Sequence, residues 1–460
     1  MTSIHDFATW EPLLRLLRAH AGDGARAGVP SGRVGGRIGR YGWSLPLHRP
    51  MPRLGRAVQV EDMQDEFDAV ERVREALPGD EEVSFAAEFG PDGRAVVHVL
   101  GSSPAVESGM GARPGALVLV EGAVPAPWRR LPEPVAEGVR PAPSADPELV
   151  EGTLRERLPE AIGATEEEIA ETEARLGVAL PEELKALYRV TRARWEDLGD
   201  DYAAAQRHAE AVRCELFSLD GLYVSDVSAR QCLWQFGARE AAATAPDAAV
   251  QYLVGSPGWI VFADNGGGDR IAIDLTPGPR GHLGQVIMLS HEEDLGAALI
   301  ADSVTDFLLD RPSALSDGLG VNDLRSVAHV NTGSLPSVEA AVHPALEVLS
   351  IGVWEGEPLS LAPVVGLPRL RTLTAYPGTL ADPLEITKLT GLEYLELGPR
   401  EWRVLLDARA VPRGLSAAGI EVHGDADPLS VVELANEILA LWDRPLISRT
   451  VVEGTLDPAR

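Results

Sequence analysis

Leu176-Gly177-Val178-Ala179-Leu180-Pro181-Glu182-Glu183-Leu184-Lys185-Ala186-Leu187-Tyr188 reads as two helices meeting at a tight corner. Gly177 stands where a left-handed C-cap is wanted, and Pro181 suits the start of the next helix, since its fixed φ is already helical and its missing N–H would have had no partner. Upstream, Thr165-Glu166-Glu167-Glu168 fits a capping box, in which the Thr hydroxyl and the Glu carboxylate satisfy the free N–H groups of the first turn. Ile169 and Leu176 share one face of the first helix, and Leu184, Leu187 and Tyr188 supply the apolar face of the second. A helix-turn-helix DNA reader has a similar outline. Glu166, Glu167, Glu168, Glu171 and Glu173 would however face phosphates, so DNA recognition is rejected for this element.

Downstream, Trp259–Ala263, Arg270–Leu275 and Gln285–Leu289 are short runs rich in apolar and β-branched residues, separated by Gly, Pro and Asp, and they predict an antiparallel meander. The first two flank Asp264-Asn265-Gly266-Gly267-Gly268-Asp269. Calcium is a conceivable ligand for such a turn, but the twelve-residue loop with its closing Glu is absent. A hairpin turn needs the same residues: glycines supply positive φ, and Asp or Asn side chains bond nearby N–H groups. Residues Ser303–Leu308 predict a terminal helix.

Taken in order, these pieces resemble the SUKH superfamily, the cell-wall-assembly or glucan-synthesis-regulator type of domain common among bacterial toxin-immunity proteins. The resemblance covers roughly residues 155–310. It rests on the Leu176–Tyr188 corner, Phe262 before Gly266-Gly267-Gly268-Asp269, Asp274-Leu275-x-Pro277, Gly284-Gln285-Val286, His291, and Ala301-Asp302-Ser303-Val304-x-x-Phe307-Leu308. It implies an α+β fold with a central, mainly antiparallel sheet and flanking helices, which binds and neutralises toxin domains, many of them nucleases or deaminases. No catalytic residues come with it. The chain departs from the family after Tyr188, where Arg192–Val212 looks like an inserted or extended helix.

N-terminal to this module, Phe7–Ala19 and Met63–Leu77 read as helices, and Val83–Phe89 and Ala95–Leu100 flank Gly90-Pro91-Asp92-Gly93 as a hairpin. Residues 1–125 are therefore expected to form a small α+β domain. Within it, the stretch from Gly22 reads as a loop. Arg26, Arg33, Arg37, Arg40, Arg49, Arg53 and Arg56, beside Tyr41 and Trp43, make a basic island with no acid between Gly24 and Val60. Such an island suits phosphate or stacked bases, or equally a solvated loop against the acidic remainder; no ligand is assigned. Seven prolines between Pro125 and Pro147 predict an extended linker over 126–150, and the SUKH-like domain is expected over 151–312.

In residues 313–460, Leu346-x-x-Leu349-x-Ile351, Leu370-x-x-Leu373-x-Ala375 and Leu392-x-x-Leu395-x-Leu397 recur with middle leucines 24 and 22 residues apart. The spacing fits a short leucine-rich-repeat-like solenoid, with Leu415–Val422 a degenerate fourth unit and Val431–Trp442 a helical cap. The repeats are expected either to widen a protein interface or simply to pack on the central module.

Composition agrees with several domains: 460 residues, 45% apolar, 46 Gly and 35 Pro exceed what one core usually holds. A formal charge of −29 disfavours polyanions and raises encounter rates with basic partners. The two cysteines, Cys214 and Cys232, have neither metal-ribbon nor disulfide-framework spacing. No secretory leader or membrane span is read, so a cytoplasmic location is expected. Nucleophile, zincin, P-loop and Rossmann signatures are absent, the last because Gly32-x-x-Gly35-Gly36 lacks a preceding strand.

The expectation is thus a non-enzymatic protein-binding module without cofactor or metal, neither bound to nucleic acid nor to membrane. Its foremost reading is an immunity protein against a basic toxin; the alternative is a cytoplasmic scaffold or regulator of cell-wall synthesis or signalling enzymes. The partner-binding candidates are Trp259, Asp264, Asn265, Asp269, Asp274 and His291, on an acidic surface near the Gly-rich turn. Gly266, Gly267 and Gly268 are assigned to shaping that turn.

Overall fold

Helix caps written into the sequence set the first elements of the central unit. In the computed structural model, which describes residues 3–24, 33–47, 63–78, 82–109, 111–199, 201–313, 315, 325–423 and 426–456, Thr165 and Glu168 form the reciprocal capping box that starts helix Glu166–Leu176. Gly177 closes that helix at φ 71°, ψ 17°, and Pro181 precedes helix Glu182–Val190, whose Leu184, Leu187 and Tyr188 are fully buried. Helix Pro147–Arg157 is capped by Asp146, which accepts from the Leu149 N–H at 3.0 Å. The segment after Tyr188 is a 3-10 turn, Trp195–Leu198, followed by helix Tyr202–Val212.

The chain divides into two compact units, residues 124–327 and residues 1–123 with 328–460. In the first, strands Trp259–Asp264, Arg270–Asp274, Gln285–Leu289 and Ala298–Ala301 form an antiparallel meander, and the short strands Glu215–Leu216 and Tyr223–Val224 both pair with Trp259–Asp264. Side chains alternate across the sheet. Ile260, Phe262, Ile271, Ile273 and Val286 face the helices with Leu184, Leu187 and Tyr188. Trp259, Val261, Ala272, Ile287 and Leu289 face the other way, onto Val250 and Leu253. Both faces of strand Trp259–Asp264 are consequently buried throughout its length.

The Pro-rich segment is not a spacer between bodies: it runs along this unit. Trp128 is buried, and the Glu133 N–H donates to Gln251 Oε1 at 2.7 Å while Gln251 Nε2 donates back to the Glu133 carbonyl at 2.9 Å. Proline removes backbone donors, but a stiff extended chain with an aromatic anchor still packs well, because little conformational entropy remains to be lost.

The second unit joins stretches that the sequence reads as separate domains. Its first sheet has the order Arg449–Thr455, Arg94–Leu100, Val83–Phe89, Arg33–Ile38, Trp43–Ser44, so the C-terminal strand completes the N-terminal hairpin with seven residue pairs. Trp10, Leu13, Leu14 and Leu17 of helix Phe7–Gly24 pack with Val70, Val73, Phe85, Val97 and Val452. Arg33–Ile38, expected in a loop, is a strand because its glycines fit a crowded site: a Cβ on Gly36 would stand 2.8 Å from the Phe85 ring. Arg33 and Arg37 are spent on Glu88, Asp427 and Glu82. Arg26, Arg49, Arg53 and Arg56 lie outside the described residues.

The second sheet of this unit sets Val348–Ile351, Thr372–Ala375, Tyr394–Leu397 and Ala417–Ile420 side by side in parallel, with Leu349, Leu373, Leu395 and Ala418 in register. Leu117–Val118, from the N-terminal stretch, closes its edge antiparallel to Ala417–Ala418. Each part of the chain thus supplies a strand to the other's sheet.

Candidate functional site

The Gly-rich turn closes the hairpin between Trp259–Asp264 and Arg270–Asp274. Asp264 Oδ1 accepts from the Gly266 N–H at 2.7 Å and the Gly268 N–H at 3.3 Å, and its other oxygen is bound by Arg270. Asn265 Oδ1 accepts from the Gly267 N–H at 2.7 Å and the Asp269 N–H at 3.1 Å, while Asn265 Nδ2 donates to Asp269 Oδ2 at 2.7 Å. Gly266 and Gly268 have φ of 81° and 101°, a region in which side chains other than glycine's are strained. Short polar side chains therefore stand in for the missing ladder partners of a tight, glycine-rich backbone.

Asp269 extends this network to His291. Its Oδ1 accepts from the His291 N–H at 3.0 Å and from ring Nδ1 at 2.8 Å. The His291 N–H, then its ring, hold the Asp269 carboxyl below the usual carboxylate range against the opposing effect of desolvation, with Asn265 adding to the lowering. The His291 ring itself remains half in solvent. His291 anchors the segment after strand Gln285–Leu289 to the turn.

Two of the six candidates prove to be core groups. Trp259 is fully buried between the sheet and Val250 and Leu253, because residues on the far side of the sheet cover a face that the sequence pattern leaves open. Asp274 lies opposite Trp259 in the ladder, at the other end of the hairpin from the turn, and has no exposed surface. It accepts from Gln285 Nε2 at 2.9 Å and the Thr276 N–H at 2.8 Å. Burial nevertheless pushes its carboxyl up to about 6, the largest effect, with the donors pulling the other way. Gln285 also binds the Ala249 carbonyl at 2.8 Å and accepts from the His282 N–H at 2.9 Å. Asp274-Leu275-x-Pro277 and Gly284-Gln285 thus build a buried clamp on the connection between two strands.

The turn brings together Asp264, Asn265, Asp269 and His291, yet their polar atoms are mostly consumed in holding its shape. The acidic surface expected here is correspondingly weaker than the residue count suggests: one carboxylate is paired with Arg270, the other with His291. One step further on, Glu292, Glu293 and Asp294 line a cleft and make no ion pair among the described residues. Their signal in the sequence is the acidic run directly following His291.

Nothing in this arrangement sets a nucleophile beside a base. Burial pushes the Cys214 thiol up to about 12, far from the thiolate that nucleophilic or metal chemistry requires. Among the described residues, no group of three or more His, Cys, Asp or Glu side chains is placed to hold a metal ion. No helix among them is long and apolar enough to cross a membrane.

Residues 163–310 match the SMI1 / KNR4 family (SUKH-1). The chain is similar to a cell wall biosynthesis/cell cycle regulator smi1 of Schizosaccharomyces pombe, with 46% identity over 66 residues, 14% of this chain and 13% of that protein. It is 38% identical over 73 residues to a glucan synthesis regulatory protein of Neurospora crassa, covering 16% and 14% of the two chains. A KNR4/SMI1 homolog of Yarrowia lipolytica is 43% identical over 63 residues, 14% of this chain and 9% of that one. These alignments span only 9–14% of the lengths of the relatives.

Proposed function

We propose that the chain is a non-enzymatic regulator that acts by binding another protein, in cell-wall or glucan synthesis or a process coupled to it. The observation that carries this reading is the match of residues 163–310 to a family whose similar members are named as regulators of those processes. The site geometry supports it, since the Gly-rich turn spends its polar groups on shape and offers a rigid platform. Rigid, preformed surfaces suit recognition, because little ordering entropy is lost on binding.

Toxin neutralisation stands second, favoured by the formal charge of −29, which speeds encounter with a basic protein. The parallel strands of residues 348–420 are read as a short leucine-rich-repeat-like array. Thr372, Thr374, Tyr394 and Glu396 on its strands are buried, so any added interface falls to the connecting segments.

Deletion of the chain in its host tests the proposal. The expected result is altered sensitivity to a cell-wall-perturbing dye and altered wall polysaccharide content. Unchanged wall properties, combined with lost survival when a toxin encoded beside it is expressed, would replace the regulatory reading with neutralisation.

A further inference from the structure

One residue beyond His291, the chain enters the wall of a cleft of about 550 Å³ contained within residues 124–327. Its size is that of a recess for a few side chains. The floor is apolar: Leu233, Leu295 and the half-buried Tyr252, with Phe236 standing 55% exposed at the edge. The rim is acidic, formed by Glu292, Glu293 and Asp294, and Glu240 also lines the cleft.

The surrounding charges define what fits. Arg230 lies close to the rim, but its guanidinium is turned to main-chain carbonyls, those of Glu293 at 2.8 Å and Gly296 at 3.0 Å. It therefore fastens the acidic segment while leaving the three carboxylates without an ion pair. Desolvation raises the Asp294 carboxyl against the pull of the Arg230 charge, and burial, with Glu240 and Glu293 adding to it, pushes the Tyr252 hydroxyl up to about 12, keeping it a proton donor. From the other side, Asp269 fixes the His291 N–H and ring. The Gly-rich turn and Arg230 together hold the rim at both ends.

We propose that this cleft receives a basic segment of a protein partner, in which a Lys or Arg side chain meets the Glu292–Asp294 carboxylates and an adjacent apolar side chain covers Phe236. Charge complementarity selects the cation. The exposed aromatic edge favours a peptide over a small polyamine, whose short methylene links between charged amines cover far less of a phenyl ring than a Leu-sized side chain, and Arg or Lys stacked on an aromatic gains further from its ring face. A metal ion fits poorly, because the carboxylates are spread along a rim and do not converge on one point. The inference deepens the protein-binding reading and rests on it.

The test is a titration of the full chain with a fluorescein-labelled octapeptide of alternating Lys and Leu, followed by anisotropy at about 50 mM salt, where exposed charges are weakly screened. Replacing Glu292→Gln, Glu293→Gln and Asp294→Asn together is expected to weaken binding about tenfold or more. Phe236→Ser should weaken it roughly fivefold, with little dependence on salt, as loss of an apolar anchor does. The control triple change Glu148→Gln, Glu156→Gln and Glu160→Gln removes the same charge from exposed positions elsewhere and should leave binding nearly intact. Circular dichroism confirms that each variant folds.

Equal weakening by both triple variants would overturn the proposal, since the peptide would then follow overall charge. So would an unaffected Phe236→Ser variant, or displacement of the peptide by spermine at equivalent charge. Any of these three results removes the cleft without touching the wall phenotype, whereas a deletion without a wall phenotype would remove the regulatory reading and leave the titration as measured.

Discussion

Asp269 binds His291 twice through one oxygen, accepting from its backbone N–H at 3.0 Å and its ring Nδ1 at 2.8 Å. The pair fastens the tip of one hairpin to the segment that leaves the neighbouring strand, and the acidic rim begins at the next residue. A turn whose glycines and side-chain amide look purely structural thus fixes where Glu292, Glu293 and Asp294 stand.

Asp269→Ala should release that segment. We expect faster amide exchange at residues 291–294 with little change in strands Trp259–Asp264 and Arg270–Asp274. Since the Asp269 carboxyl is held below its usual range, the restraint is fully present above the unfolded carboxylate value of about 4 and is lost as pH falls through the lower folded value. Following the His291 amide resonance from about pH 6 to about pH 2 reads this directly; a change centred above 4 would contradict the assignment.

Gln285→Leu should destabilise the unit by about 2–4 kcal/mol, because it strips a donor from the buried Asp274 and leaves the Ala249 carbonyl unpaired. The Asp274 carboxyl is already raised to about 6. A raised acid binds its proton more readily folded than unfolded, so its contribution is most favourable at low pH and declines as pH rises from about 4 through 6. The variant's penalty should therefore be larger at pH 8 than at pH 5 in urea unfolding, the carboxylate then being charged and short of a donor.

Gly268→Ala should cost about 1–2 kcal/mol, since φ at this position is 101°. Gly267→Ala makes the control. Its φ is not in the left-handed region, and an added Cβ would meet only the Asn265 side chain, at 3.2 Å. Its cost should stay below about 0.5 kcal/mol. Equal losses of thermal stability in the two variants would show that backbone strain is not what glycine relieves here.

A fragment of residues 1–125 should not fold alone. Without Arg449–Thr455, the strand Arg94–Leu100 loses seven paired positions and becomes an open edge with Val452 missing from the core beneath it. Aggregation or weak circular dichroism is expected for that fragment. Residues 124–327 expressed separately should unfold cooperatively, as a unit with its own core does. A soluble, cooperatively folded 1–125 fragment would refute the interlocked arrangement.

By itself, the sequence determined the features that local chemistry specifies. Thr165 with Glu168, Gly177 and Pro181 set helix ends through hydrogen bonds and φ preferences acting within a few residues. The Asp264–Asp269 turn follows from side chains that bond their own backbone, and the leucine period placed Leu349, Leu373 and Leu395 on neighbouring strands. Short apolar and β-branched runs set between Gly, Pro and Asp likewise pointed to the meander. What only the tertiary structure decided depends on residues far apart in the chain. Trp259 and Asp274 look accessible beside a turn, and residues such as Val250, Leu253 and Gln285 bury them. Pairing of Arg449–Thr455 with Arg94–Leu100 merged two apparent domains, since an unpaired strand edge is satisfied by whichever strand folding brings alongside it. The cleft joins Phe236 to Glu292–Asp294 across more than fifty residues of chain. No short-range pattern encodes that approach; packing of the sheet's outer face brings them together.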